Sequence, residues 1–108
     1  MGWSVVTLNA TVDAELEDLP ADLRARFVRI AMMIEDFGLD KVGYPHVRHL
    51  QGRLWEIRLT GRDGIARALY VTAGDRRVVV VRVFQKKTQK APRREIELAL
   101  QRARELEQ

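Results

Sequence analysis

Three arginines, Arg58, Arg67 and Arg82, fall inside stretches of alternating or β-branched apolar residues, where a strand denies the side chain the freedom to spread into solvent. Before the first of them come His49, Arg53 and Glu56, and after the last come Lys86, Lys87 and Lys90 in the run QKKTQK. Cationic groups gathered on one concave sheet face grip phosphates. Such a face also suits cleavage of RNA by its own 2′-hydroxyl. That reaction needs a group to take the hydroxyl proton, a group to protonate the leaving 5′-oxygen, and cations to stabilise the phosphorane-like transition state. Arginine meets the last need at any physiological pH, whereas lysine or tyrosine becomes a base only when its pKa is lowered. The competing reading has these arginines paired with Glu56, Asp63 and Asp75, or lying along apolar surface.

The elements that must position these groups show in the periodicity. WSVVTL, residues 3–8, is short and β-branched, which predicts a first strand. Leu16 and Leu19 among acidic neighbours suggest a short helix ending near Pro20. Pro20 at a first helical position, followed by Leu23, Phe27, Ile30, Ala31, Ile34 and Phe37, predicts an amphipathic helix closed by Gly38. After LDKVGYP the period changes from 3.6 to 2: Trp55, Ile57 and Leu59 share one face, and Leu54, Glu56, Arg58 and Thr60 the other. GRDG at 61–64 is a turn and Ile65–Thr72 the next strand, a hairpin that brings Arg58 close to Arg67. Like charges so placed resist one another unless an anion joins them. AGDR at 73–76 turns the chain again into Arg77–Phe84, with its four consecutive valines, and short turns make these three strands antiparallel. A last helix opens at Pro92 with Ile96, Ala99, Leu100, Ala103 and Leu106 on one stripe. The expected fold class is α+β, one domain over residues 1–108, with an N-terminal strand and two helices packed on an antiparallel sheet and a C-terminal helix.

Composition removes other classes. With no cysteine there is no disulfide scaffold, thiol nucleophile or thiolate metal site. His46 and His49, three apart in an extended segment, fall on opposite faces with no third ligand in sight, so neither metal nor cofactor is expected. The scattered glycines form no phosphate loop, and the one serine, Ser4, sits in an edge segment unsuited to a triad. No apolar run approaches a membrane span and the start MGWSVVTLNA lacks signal-peptide character, so a cytoplasmic protein is expected. The net charge of +4 hides an asymmetry: residues 1–40 carry three basic against eight acidic side chains, −5, and residues 41–108 carry 16 against seven, +9. The basic excess is local and points to a polyanionic partner.

The run HLQGRLWEIRLTGRDGIARALYV, followed by VVVVRVFQKKTQKAPRREIELALQRARE, resembles the RelE/HigB-like toxins of type II toxin–antitoxin systems, in their phage-derived branch. The matching residues are Leu50, Gly52, Leu54-Trp55-Glu56-Ile57-Arg58, Arg67, Leu69-Tyr70, Phe84, Lys86-Lys87-Thr88, Lys90 and Pro92, then Ile96, Ala99 and Arg102 in the closing helix. The resemblance implies a RelE-like fold and a metal-independent, ribosome-dependent endoribonuclease, an mRNA interferase that cuts mRNA in the ribosomal A site. Its partners would be the ribosome, that mRNA and a cognate antitoxin, a helix-turn-helix HigA-like protein. Arg67 matches the family's strand arginine near the scissile phosphate, Arg58 a basic position on the preceding strand, and Lys87 the basic position after the last strand. Lys86, Lys90, Arg82, Arg53, His49 and Glu56 complete the expected RNA-binding set. Some relatives use a C-terminal tyrosine or a histidine/aspartate set as acid or base. No tyrosine follows Tyr70 here, which leaves Lys87, His49 and Glu56 as candidates for the proton acceptor. Replacing Arg67 by alanine is expected to abolish activity without unfolding the chain. Two alternatives share the fold or the charge: a ParE-like toxin that binds DNA gyrase and cuts no RNA, and a non-catalytic nucleic-acid-binding module.

Overall fold

The computed structural model describes residues 2–62, 64–86 and 92–107. Strand β1 (Ser4–Thr7) leads into helices α1 (Ala10–Glu17) and α2 (Ala21–Phe37), and a 3-10 turn, Leu39–Lys41, precedes β2 (Val47–Gln51). Strands β3 (Leu54–Thr60), β4 (Ile65–Ala73) and β5 (Arg77–Lys86) follow, then α3 (Arg93–Ala103) and a closing 3-10 turn, Arg104–Glu107. No described helix is long and apolar enough to cross a membrane.

Each helix start has a local cause. The Asn9 side chain accepts from the Val12 N–H and opens α1. Pro20 and Pro92 stand one position before the helices they were expected to begin, and their carbonyls accept the first helical N–H groups, those of Leu23 and Arg24 and of Glu95 and Ile96. Leu23, Phe27, Ile30 and Ile34 of α2 are buried as the periodicity predicts, but Phe37 is exposed: it is the last helical residue, and Gly38, at φ 92°, turns the chain away beyond it.

The strand order is β1-β5-β4-β3-β2. Strands β2 to β5 pair antiparallel as the short turns require, whereas β1 joins the free edge of β5 in parallel, Ser4 opposite Arg77 and Thr7 opposite Val80. The sheet is covered on both faces. Ile57, Leu59, Ala66, Ala68, Tyr70, Val78, Val80 and Val83 pack with α1 and α2 on one, and Leu54, Leu69, Val71, Val79, Val81 and Phe84 pack with α3 on the other. Two irregularities reset which residues share a face. In β5 Leu69 opposes Arg82 while Tyr70 opposes Val80, so Val81 is an extra residue. In β2 Leu50 is the extra residue, because His49 opposes Trp55 and Gln51 opposes Leu54.

The bulge in β5 also fixes a polar clasp at the edge of the sheet that β1 leaves uncovered. Arg82 pairs with Glu15 of α1 and Glu95 of α3, both at 2.7 Å. Arg102 of α3 pairs with Glu15 at 2.9 Å and donates to the Val81 carbonyl, and Glu15 accepts the Val83 N–H. Burial alone would raise the Glu15 pKa, but the hydrogen bonds from Arg102 and Val83 and the charges of Arg82 and Arg102 outweigh it and hold the carboxyl below its usual 4.5.

Two predictions follow from this packing. The β3–β4 turn docks on the start of α2, where Asp22 accepts the Arg62 N–H, and a Cβ on Gly61 would meet Asp22 Oδ2 at 2.3 Å and Leu23 Cδ2 at 2.8 Å. Gly61→Ala is expected to cost about 1–3 kcal/mol, read as a melting temperature lower by several degrees. A carboxyl with a depressed pKa contributes stability that is present above about pH 4.5 and lost as pH falls through its folded value. Urea midpoints measured from pH 6 down to pH 3 are therefore expected to fall more steeply for the parent chain than for Glu15→Gln.

Candidate functional site

The face of the sheet shared with α3 is apolar at one end and ionic at the other. Strand β3 turns Glu56 and Arg58 onto it, β4 turns Arg67, β5 turns Phe84 and Lys86, and β2 turns Arg48. The register places Arg58 opposite Arg67, Arg67 opposite Phe84, and Arg48 opposite Glu56. The like-charged pair expected from the hairpin is therefore present, together with the anion it requires. Glu56 has no solvent exposure, and its carboxylate lies 3.1 Å from Arg67 Nε and 3.2 Å from Arg48 Nε. These are contacts of charge, since neither Glu56 oxygen nor Arg67 Nε has an aligned hydrogen bond. Arg67 donates instead to its neighbour's carbonyl at Ala66.

Four cations, Arg48, Arg58, Arg67 and Lys86, face one carboxylate, a formal surplus of three positive charges. Arg67 is only 2% exposed; burial lowers its pKa, Glu56 opposes that fall, and Arg58 and Arg48 add to it. Lys86, 5% exposed, is lowered from lysine's usual 10.5 for the same reasons: burial first, then the charge of Arg67, with Arg48 and Arg58 adding and Glu56 opposing. Arg58 is half-buried, with its guanidinium carbon 5.7 Å from the Tyr44 ring centroid. A phosphate is the complement of this arrangement, and a lysine whose pKa is lowered exchanges a proton more readily than a free one.

Of the residues expected to act, Glu56, Arg58, Arg67 and Lys86 come together. The others are placed elsewhere. Arg82 is held between Glu15 and Glu95, so it is paired, though not with the carboxylates that the competing reading named; of those, Glu56 pairs with Arg67. His49 stands on the opposite face, edge-on to Trp55 at 4.9 Å with Nε2 2.7 Å from the Gly52 carbonyl, and so does not meet Glu56. Arg53 sits in the β2–β3 turn, at the far end of β3 from Arg58. Lys87 and Lys90 lie outside the described residues. Trp55, on the same face as the buried Ile57 and Leu59, is 38% exposed.

Arg48 was not among the expected site residues, and the bulge in β2 explains both its presence and the displacement of His49. Counting back from a two-residue turn at Gly52 and Arg53 sets His49 opposite Glu56. The extra residue at Leu50 shifts the register by one, moves His49 to the other face and brings Arg48 to the carboxylate.

The family described as phage-derived protein Gp49-like (DUF891) matches residues 14–104. No curated protein matches the chain. Among solved structures, the free E. coli toxin RelE, as a double arginine-to-alanine mutant, superposes with a TM-score of 0.67 at 15% identity, over 94% of this chain and 98% of that one. The archaeal RelE–RelB complex from Pyrococcus horikoshii OT3 contains a similar chain, with a TM-score of 0.56 at 20% identity over 79% of this chain and 96% of that one. The protein accordingly belongs to the phage-derived Gp49-like family and is built on the fold of the RelE toxins.

Proposed function

We propose that this protein is the toxin of a toxin–antitoxin pair and an endoribonuclease that cuts mRNA on the ribosome, without metal or cofactor. The observation that carries the reading is the surplus of cations around buried Glu56, which an RNA phosphate would complete. Arg58 and Arg67 would hold the scissile phosphate and the charge that grows on it. Arg48 and Glu56 would position Arg67. Lys86 would exchange the proton, accepting it from the 2′-hydroxyl when neutral. The fold shared with RelE supports the toxin reading, and the solved RelE–RelB complex supports a cognate antitoxin as partner.

Arg67→Ala, the substitution the sequence favours as a test, is not neutral for folding, because it leaves the buried Glu56 carboxylate with Arg48 alone, a loss of about 3–5 kcal/mol by the usual cost of breaking a buried pair. Arg58→Ala is the cleaner variant. It is expected to lower cleavage roughly 100-fold or more while the melting temperature changes little. Primer extension on a reporter mRNA after brief induction, beside a transcript blocked for translation, should show cuts confined to translated codons and lost in Arg58→Ala. Growth arrest with intact mRNA would instead indicate a protein target such as gyrase.

The state of Lys86 sets the pH dependence. A base whose pKa is lowered gains its active neutral form as pH rises, so the cleavage rate should climb with pH and level off below 10.5. In Lys86→Arg, which keeps the charge and does not titrate, that rise should vanish; a pH profile unchanged from the parent would remove Lys86 from proton transfer.

A further inference from the structure

Tyr44 stands where two surfaces meet. One is the charge cluster, through the Arg58 guanidinium 5.7 Å from its ring. The other is a cavity of about 390 Å³ that Tyr44 lines with Trp3, Trp55 and Tyr70, and that has Asp40 and Thr72 as polar groups on its wall. Trp55 and Tyr70 are direct cross-strand partners and neighbour Glu56 and Leu69 in the chain, so the cavity backs onto the strands that carry the cluster. Tyr44 is 75% exposed and Trp55 38%, which leaves aromatic surface open to a ligand.

We propose that this cavity takes one unstacked nucleobase of the RNA strand whose backbone lies against Arg58, with Tyr44 as its stacking surface. The inference rests on the RNA reading above and extends it to a second subsite. A positively charged track flanked by aromatic rings is the way single strands are held, since every base offers a π-face. The volume suits a single planar ring system and lies at the small end of ligand cavities. The Asp40 carboxylate repels phosphate and accepts from an amino-bearing base edge. Tyr70, almost without exposure, lines the cavity with a phenol whose pKa burial raises. An apolar side chain from a protein partner would use neither polar group, nor the adjoining arginine.

The chain's two tryptophans, Trp3 and Trp55, both line the cavity, so their emission reports its occupancy. The test titrates the whole protein at low salt with a short single-stranded RNA carrying uncleavable 2′-O-methyl sugars, and with an abasic strand of equal phosphate count. The base-bearing strand is expected to quench emission and to bind roughly tenfold or more tightly than the abasic one. Tyr44→Ala should remove that difference and Tyr44→Phe should keep it. Equal binding of both strands without quenching overturns the base subsite while leaving RNA binding in place. Binding of neither strand overturns the base subsite, while the primer-extension result decides the ribosome-dependent reading separately. A change of emission on adding a short amphipathic helical peptide, with none from either strand, assigns the cavity to a protein side chain and also overturns the proposal.

Discussion

A carboxylate that meets no water is costly to bury unless cations reach it, and three of the five strands are held in register around that requirement at Glu56. Arg67 arrives from β4 and Arg48 from β2, each as a direct neighbour across a strand pair or a diagonal one. The ion pairs do not remove the positive charge of this face, since two further cations, Arg58 and Lys86, share it. The arrangement is thus locked in shape by its internal anion and left incomplete in charge. Self-repulsion among buried cations is tolerated in the free protein because Glu56 offsets part of it. A phosphate at the proposed site would offset the rest.

The second ionic assembly works differently. Arg82, Arg102, Glu15 and Glu95 balance as two cations and two carboxylates, and they join α1, β5 and α3 at the sheet edge that β1 leaves open. Here the arginines are saturated and structural. The two assemblies share arginine and glutamate as building blocks and draw on neighbouring strands of one sheet. Count of charge, rather than kind of residue, separates the surface that can receive an anion from the one that cannot.

Much of this was legible in the chain. The helical stripe of α2, the three antiparallel strands and the opposition of Arg58 and Arg67 follow from periodicity and turn chemistry, because those signals are local. The parallel seat of β1 is not local, since it depends on which sheet edge remains free after the hairpins form. The roles of His49, Arg48 and Arg82 were hidden for a single reason: each depends on a bulge, and one inserted residue inverts the face of every position beyond it. Arg82 was a strand-borne arginine by pattern, and only its distance to Glu15 and Glu95 shows it to be a tie between helices. Tyr44 carried no periodic signal at all, lying in the irregular stretch before β2.

The parallel pairing of β1 with β5 sets an order of events during synthesis. Ser4 has no strand partner until Arg77 exists, and Lys86 follows only nine residues later. The first of the described strands is seated by the last, a closure over about 70 residues that is slow by topology. Until then Arg67 and Glu56 form at most one hairpin of an unfinished sheet, without Lys86 beside them. The ribosome that builds this chain therefore does not hold the complete charge cluster while most of it is still being made, and an incomplete copy that stops short of β5 lacks Lys86 and the strand that flanks Arg67.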